Sequence, residues 1–132
     1  MIRIRNIDFE TEGMKRHSQL AIPDTTATNA KYTIFSAPVD CVVEKVTVTQ
    51  SRIKSNSATI RLYLATATAS TLVAENDSTA SSYEAIELTP SANNSMTAGQ
   101  LLGLTLDCNG SDSFSKTIVD VKYKPVKNRG TL

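Results

Sequence analysis

Short runs that alternate apolar and polar residues recur along this chain, separated by turn-forming residues. The clearest spans Ala58 to Ala65, where Ile60, Leu62 and Leu64 fall on one face and polar residues on the other. Such runs predict strands, because successive side chains of a strand point to opposite faces. They recur about every 8 to 15 residues, and no stretch shows a convincing amphipathic helical period. The pattern predicts an all-β chain folded as an antiparallel sandwich or barrel.

The most β-rich stretch runs from Tyr32 to Thr49. Two runs rich in Val, Ile, Thr, Tyr and Phe flank Ala37-Pro38-Val39-Asp40, where proline removes a ladder donor. In the second run, Cys41 to Thr49, the alternation slips at Glu44-Lys45, which indicates a β-bulge or a sheet edge. We expect this run to be a long strand near the middle of a sandwich.

Further runs complete the predicted sheets. Asn109-Gly110 predicts a hairpin between the run that ends at Asp107 and the run Phe114 to Lys124, and Pro125 ends the latter. The segment 75–82 is expected to be a polar loop, and the small residues at 65–70 either extend a strand or form a hairpin connection. The predicted core comprises Ile60, Leu62, Leu64, Leu102, Leu104, Leu106, Val119 and Val121. Seven or eight strands in two antiparallel sheets favour a jelly-roll-like β-sandwich.

The length, composition and net charge of the chain argue against several classes of protein. The chain has 132 residues, 40% of them hydrophobic and 20% charged, which fits one globular domain. A net charge of +1 gives no electrostatic case for binding nucleic acid. No apolar run approaches the roughly 18 residues of a membrane span, and the first residues do not form a secretory signal. We therefore expect a protein that folds in a cytosol and contacts neither membrane nor nucleic acid.

The two cysteines, Cys41 and Cys108, do not have metal-ligand spacing. We expect them to be buried free thiols, since a cytosol keeps thiols reduced. A disulfide would require two strands to place them face to face.

The chain divides by pattern into three parts. Residues 1–30 lack a sustained period and are interpreted as an extended N-terminal arm, residues 31–125 as the β-sandwich domain, and residues 126–132 as a C-terminal tail. The alternative for residues 1–30 is a loosely packed terminus with one edge strand. The arm carries apolar and basic side chains, which make it a candidate interface with another subunit. The candidate interface residues are Ile2, Arg3, Ile4, Arg5, Phe9, Lys15, Arg16, Leu20 and Ile22.

No residue constellation predicts catalysis or cofactor binding. His17, the single histidine, falls in the basic part of the arm, where we expect it to be solvated. Asp107, Asn109 and Asp112 do not have the spacing of a calcium loop, so a turn is the better interpretation. We expect no catalytic residue, no cofactor and no metal.

Aromatic residues are few, which bears on a sugar-binding role. The chain contains no Trp, and Tyr63 and Tyr83 are the candidates for exposed stacking residues. Packing in the core or at an interface is the preferred interpretation for both.

The body of the chain, roughly residues 31 to 124, resembles small β-sandwich virion proteins of tailed bacteriophages, above all head decoration (cement) proteins and head-fibre domains. The similar segments are YTIFSAPVDCVVEKVTVT, RLYLA, LTPSANNSMTAGQLLGLTL and IVDVKYKP. The resemblance is one of pattern, without a diagnostic motif.

The resemblance implies a structural virion protein, not an enzyme, that binds the outer surface of a capsid and reinforces it. Its implied partners are the major capsid protein and two further copies of itself in a homotrimer, and its implied location is the virion. The alternative is a carbohydrate- or receptor-binding module of a phage head fibre or tail. A sticky arm suits the first role, because extended segments add strands to a neighbour's sheet edge.

Overall fold

The computed structural model describes residues 15–26, 30–50, 58–65, 70–78, 84–108 and 114–126. These residues contain no helix, and therefore none that could cross a membrane. The prediction of an all-β chain is confirmed. The strands are β1 (Arg16–Ile22), β2 (Ala30–Ser36), β3 (Cys41–Thr49), β4 (Ala58–Ala65), β5 (Ser70–Ser78), β6 (Ala85–Leu88), β7 (Ser95–Met96), β8 (Leu101–Asp107) and β9 (Thr117–Pro125).

The strands form two antiparallel sheets packed face to face. The first sheet has the order β1-β9-β3-β6, and the short β7 also pairs with β3. The second sheet has the order β2-β8-β4-β5. Consecutive strands alternate between the sheets except at the β4–β5 hairpin and where β6 and β7 both border β3. This is the two-sheet arrangement of a jelly roll, as predicted.

The core lies between the inner faces and follows the predicted alternation. Of the eight predicted core residues, seven are buried, and Leu64 is half-buried against the core. Aromatic residues contribute as well: the Phe35 and Tyr123 rings pack with centroids 4.8 Å apart. Ile118, on the opposite face of β9, is exposed.

The β3 strand is central, as predicted, with β9 on one side and β6 and β7 on the other. Its register with β9 shifts between Val43 and Lys45, which confirms the bulge at Glu44. The bulge lets Val43 and Val46 both face the core although they are three positions apart.

The predicted hairpin at Asn109-Gly110 is wrong. β8 pairs with β2 and β4 in the second sheet, whereas β9 pairs with β1 and β3 in the first, so the chain crosses between sheets after Asp107. Residues 109–113 themselves lie outside the described residues. The local turn signal was outweighed because both edges of each strand are already occupied by other partners.

Two further assignments are corrected. The predicted polar loop at 75–82 begins as strand, because β5 continues to Ser78, opposite β4. Residues 16–22, assigned to the arm, form β1, which pairs with β9 along its whole length. Both are edge strands, where solvent reaches one side and the apolar alternation is weak.

The two cysteines are buried free thiols. Cys41 follows Asp40, whose carboxylate lies 2.9 Å from the Ala98 amide just before β8, whereas Cys108 follows the far end of β8. Seven strand residues rise on the order of 20 Å, well beyond the Cα separation of about 7 Å that a disulfide tolerates. The geometry therefore excludes a bridge within one chain.

Candidate interaction surfaces

The edge of β1 that no described strand pairs with is the first candidate surface, because it follows the N-terminal candidate interface residues. Leu20 is 40% exposed there, and Arg16 is exposed beside it. Lys15 pairs with Glu44 at 3.2 Å, so this cation is tied to the bulge of β3. Ile22 is only 5% exposed and belongs to the core, so its prediction as an interface residue is wrong. Ile2, Arg3, Ile4, Arg5 and Phe9 lie outside the described residues, and their interface role stays a prediction.

The outer face of the first sheet carries cross-strand contacts between ionisable side chains. His17 Nδ1 lies 2.7 Å from Asp120 Oδ2 on the neighbouring β9. Lys45 on β3 lies 3.3 Å from Glu87 on β6. His17 therefore lies on strand β1 and not in an extended arm, and its side chain is exposed to solvent as predicted. Exposed pairs of this kind add little stability.

A cluster of turns closes one end of the sandwich around Asp40. The Ala98 amide donates to Asp40 Oδ1 at 2.9 Å, and the Val126 amide donates to the Asp40 carbonyl at 2.9 Å. The Gly99 amide donates to the Ala37 carbonyl at 2.7 Å, in a turn where Gly99 has φ +88°. The Ala37–Asp40 segment singled out in the sequence thus joins three parts of the chain, and its role is structural.

The outer face of the second sheet carries a charged clamp at one end. The Arg61 guanidinium lies 2.7 Å from Glu75 on β5 and 3.5 Å from Asp107 on β8. The hydrogen bond that Arg61 donates to Glu75, with help from Asp107, raises the pKa of Arg61 above its ordinary value. Asp107 is therefore engaged with Arg61, and Asn109 and Asp112 lie outside the described residues. Among the described residues, no cluster of His, Cys, Asp and Glu could hold a metal ion.

An open groove lies on the same face, above Gly103, and is called here the Gly103 groove. Its volume is about 500 Å3, and it is lined by Lys31, Tyr32, Thr33, Tyr63, Ala65, Ser70, Gly103, Leu104 and Thr105. Gly103 lies directly opposite Thr33 on β2 and Tyr63 on β4. Tyr63 is thus half-buried on an outer face and is not part of the core.

Comparison with known proteins gives structural matches alone. No family model matches the sequence, and no curated protein does either. A chain of the capsid asymmetric unit of cyanophage Pam1 is similar with a TM-score of 0.53 and 20% identity, over 86% of both chains. The two chains share a fold. The resemblance to virion β-sandwich proteins is thereby confirmed at the level of fold.

Two weaker likenesses are to proteins of infectious bursal disease virus. The Gx strain structure matches with a TM-score of 0.42 and 10% identity, and the Gt strain structure with 0.42 and 14%. This chain covers 39% of each of those chains. We base no argument on these two likenesses.

The groove is the surface that the sequence did not predict. Its residues come from β2, β4, β5 and β8, and strand pairing alone brings them together. One sequence signal was available: a glycine in the middle of a strand weakens the strand and often marks close approach by a ligand or another backbone. Tyr83, the other candidate stacking residue, lies outside the described residues.

Proposed function

We propose that this chain is a structural virion protein that binds the outer surface of a phage capsid and reinforces it, without enzymatic activity. The observation that carries the proposal is the whole-chain likeness in fold to a chain of the cyanophage Pam1 capsid asymmetric unit, which covers 86% of each chain. That match spans most of this chain as one jelly roll.

The proposed attachment surface is the free edge of β1 together with the N-terminal residues before it. An edge strand presents unpaired backbone donors and acceptors, which can extend a neighbour's sheet. Leu20 is 40% exposed on β1, so apolar area is available for burial at this edge. The candidate contacts are Ile2, Arg3, Ile4, Arg5, Phe9, Lys15, Arg16 and Leu20. Their partners would be the major capsid protein and neighbouring copies in a homotrimer, where three weak contacts reinforce one another.

The experiment uses capsids that lack this protein and purified full-length chain. We expect the chain to co-sediment with these capsids and to raise the temperature at which they release their contents. Unchanged heat stability of the loaded particle would refute the reinforcing role. Light scattering of the free chain tests the trimer, and a monomer at capsid-binding concentrations would refute that part.

A matched pair of substitutions locates the surface. Leu20→Asp and Leu72→Asp each place a charge on an exposed leucine, 40% and 47% exposed respectively, on opposite sheets. We expect Leu20→Asp to weaken co-sedimentation by at least about tenfold and Leu72→Asp to leave it unchanged. The reverse result would move the attachment surface to the second sheet.

The second candidate function is a carbohydrate- or receptor-binding module of a head fibre or tail. The Gly103 groove is the one observation that favours it. The same capsid experiment separates the two, because a module of that kind would not stabilise the shell.

A further inference from the structure

The Gly103 groove exists because a residue in the middle of β8 has no side chain. Gly103 is paired on both sides, with Thr33 and with Tyr63, so it occupies a position where β-branched and aromatic residues are favoured. The backbone of Gly103 does not require glycine, because its φ is not positive. Of the glycines in the described residues, only Gly99 has a positive φ. Its packing does not need glycine either. A Cβ at this position would lie 3.7 Å from the Tyr32 carbonyl oxygen and 3.9 Å from the Tyr63 carbonyl oxygen, which are ordinary contacts.

What glycine provides at this position is therefore open space above the sheet. A larger side chain would project from the outer face between Thr33 and Tyr63 and fill the groove. Glycine in a strand interior weakens the strand. Its presence at position 103 therefore lowers strand stability but leaves the surface above the strand unfilled. We take this as the first indication of a ligand.

The groove lining is suited to polyhydroxylated ligands. Thr33, Ser70 and Thr105 contribute hydroxyl groups, each of which can both donate and accept hydrogen bonds. Tyr63 adds an aromatic ring against which the C–H face of a sugar could pack. A volume of about 500 Å3 lies within the range of small-molecule sites and fits one or two sugar rings.

The charges on this face point to a negatively charged ligand. Arg61 is already neutralised by Glu75 and Asp107. Lys31, by contrast, lines the groove, is exposed, and forms no ion pair with any carboxylate of the described residues. Its ammonium is therefore available to a ligand anion.

We propose that the Gly103 groove binds a short acidic saccharide, with the sugar ring against Tyr63 and its carboxylate toward Lys31. The site does not depend on the capsid role, because it lies on the second sheet, away from the β1 edge.

The test is an NMR titration of the full-length chain with two disaccharides that differ in their carboxylates: digalacturonate and the neutral digalactoside. We expect saturable shifts of the Thr33, Tyr63 and Gly103 amides with digalacturonate, below about 10 mM, and at least about tenfold weaker binding of the neutral sugar. No saturable shift with either sugar would overturn the proposal. Shifts confined to other parts of the chain would do the same.

Substitutions then assign the contacts. Gly103→Val fills the groove with a good strand former, so we expect an unchanged or higher melting temperature and at least about tenfold weaker digalacturonate binding. Thr47→Val, on the outer face of the first sheet, is the matched control and should bind as the unaltered chain does. Normal binding by a folded Gly103→Val chain would exclude the groove as the site.

Lys31→Gln tests the charge separately. It should remove the preference for digalacturonate over the neutral disaccharide, whereas Lys122→Gln on the first sheet should retain it. A preference that survives Lys31→Gln would refute the assigned carboxylate contact. The melting temperatures of both variants show whether either change disturbs the fold.

Discussion

Leu104 illustrates at the scale of one residue how the alternation in the sequence becomes stability. It lies on the inner face of β8, between the partner strands β2 and β4, and is 1% exposed. Leu72, on the edge strand β5, is 47% exposed. Both residues are leucines in strands of the same sheet, so substituting each one compares a buried position with an exposed position.

We expect Leu104→Ala to lower the free energy of unfolding by about 2–5 kcal/mol, because it removes buried methyl groups and leaves a cavity. Leu72→Ala is the control and should change it by no more than about 0.5 kcal/mol. Chemical denaturation of both variants measures the difference. Equal effects would contradict the assignment of the two faces of the second sheet.

Cys41 is a second residue whose environment makes a definite prediction. Burial, and secondarily the Asp40 carboxylate, raise the pKa of the Cys41 thiol above its ordinary value. The folded state therefore holds this proton to higher pH than the unfolded chain does. The resulting stabilisation is complete below the unfolded pKa and is lost as pH rises through that pKa and toward the folded one.

We expect the unfolding free energy to fall between about pH 8 and pH 10, in part because the unfolded Cys41 thiol ionises first. Cys41→Ala should show a shallower fall over the same range, since it removes this group from both states. Denaturation curves of the two chains at matched pH values measure the contribution. Parallel curves would show that Cys41 titrates alike in both states.

Native alkylation at neutral pH should leave both cysteines unlabelled, whereas the unreduced, unfolded chain should take up two labels.

At the scale of elements, the sequence correctly predicted the features that depend only on residues close together along the chain. The alternation in β8 and β9 assigned the inner faces, and the slip at Glu44 located the bulge, because both follow from the two-residue period of a strand. Which sheet a strand joins depends on pairing with strands that are distant in the sequence. The local turn signal at Asn109-Gly110 therefore predicted a hairpin, whereas β8 and β9 lie in different sheets. The Gly103 groove was missed for the same reason, as its lining comes from four strands.

The edge strands show a second limit of sequence interpretation. β1 has the sequence RHSQLAI, in which Ile22 is its one buried residue. β5 ends in polar residues that the sequence assigned to a loop. Edge strands need only one apolar face and are often polar, so their pattern resembles that of loops. Asn76 on β5 still joins the sheets, because its side-chain amide donates to the Glu87 carbonyl at 3.0 Å.

The corrected position of β1 changes the expected effect of truncating the N-terminus. Deleting residues 1–14 leaves β1 intact, so the domain should keep its melting temperature while losing capsid binding. Deleting residues 1–22 removes the strand that covers β9 and the buried Ile22, and it should destabilise the domain by about 2 kcal/mol or more. Thermal unfolding and co-sedimentation of both truncations measure the two effects. Full capsid binding by the shorter truncation would exclude residues 1–14 from the interface.

At the scale of the whole molecule, positive and negative charges nearly balance, with a net charge of +1. Among the described residues, Lys15, Lys45 and Arg61 each have a carboxylate partner. Leu20 is an exposed apolar side chain at the β1 edge. Attachment by this edge would therefore draw mainly on apolar burial and backbone hydrogen bonds, neither of which salt screens strongly.

We expect capsid binding to persist from physiological salt to about 1 M, where the Debye length falls to about 3 Å. Co-sedimentation across that range, with Arg16→Gln as the matched variant, measures the electrostatic share. Binding that disappears at high salt, and that weakens equally in Arg16→Gln, would instead indicate a clamp formed by Arg3, Arg5, Lys15 and Arg16 on an acidic capsid surface. Retained binding in both chains would support burial of Leu20 and strand addition at the β1 edge, because those contacts carry no net charge for salt to screen.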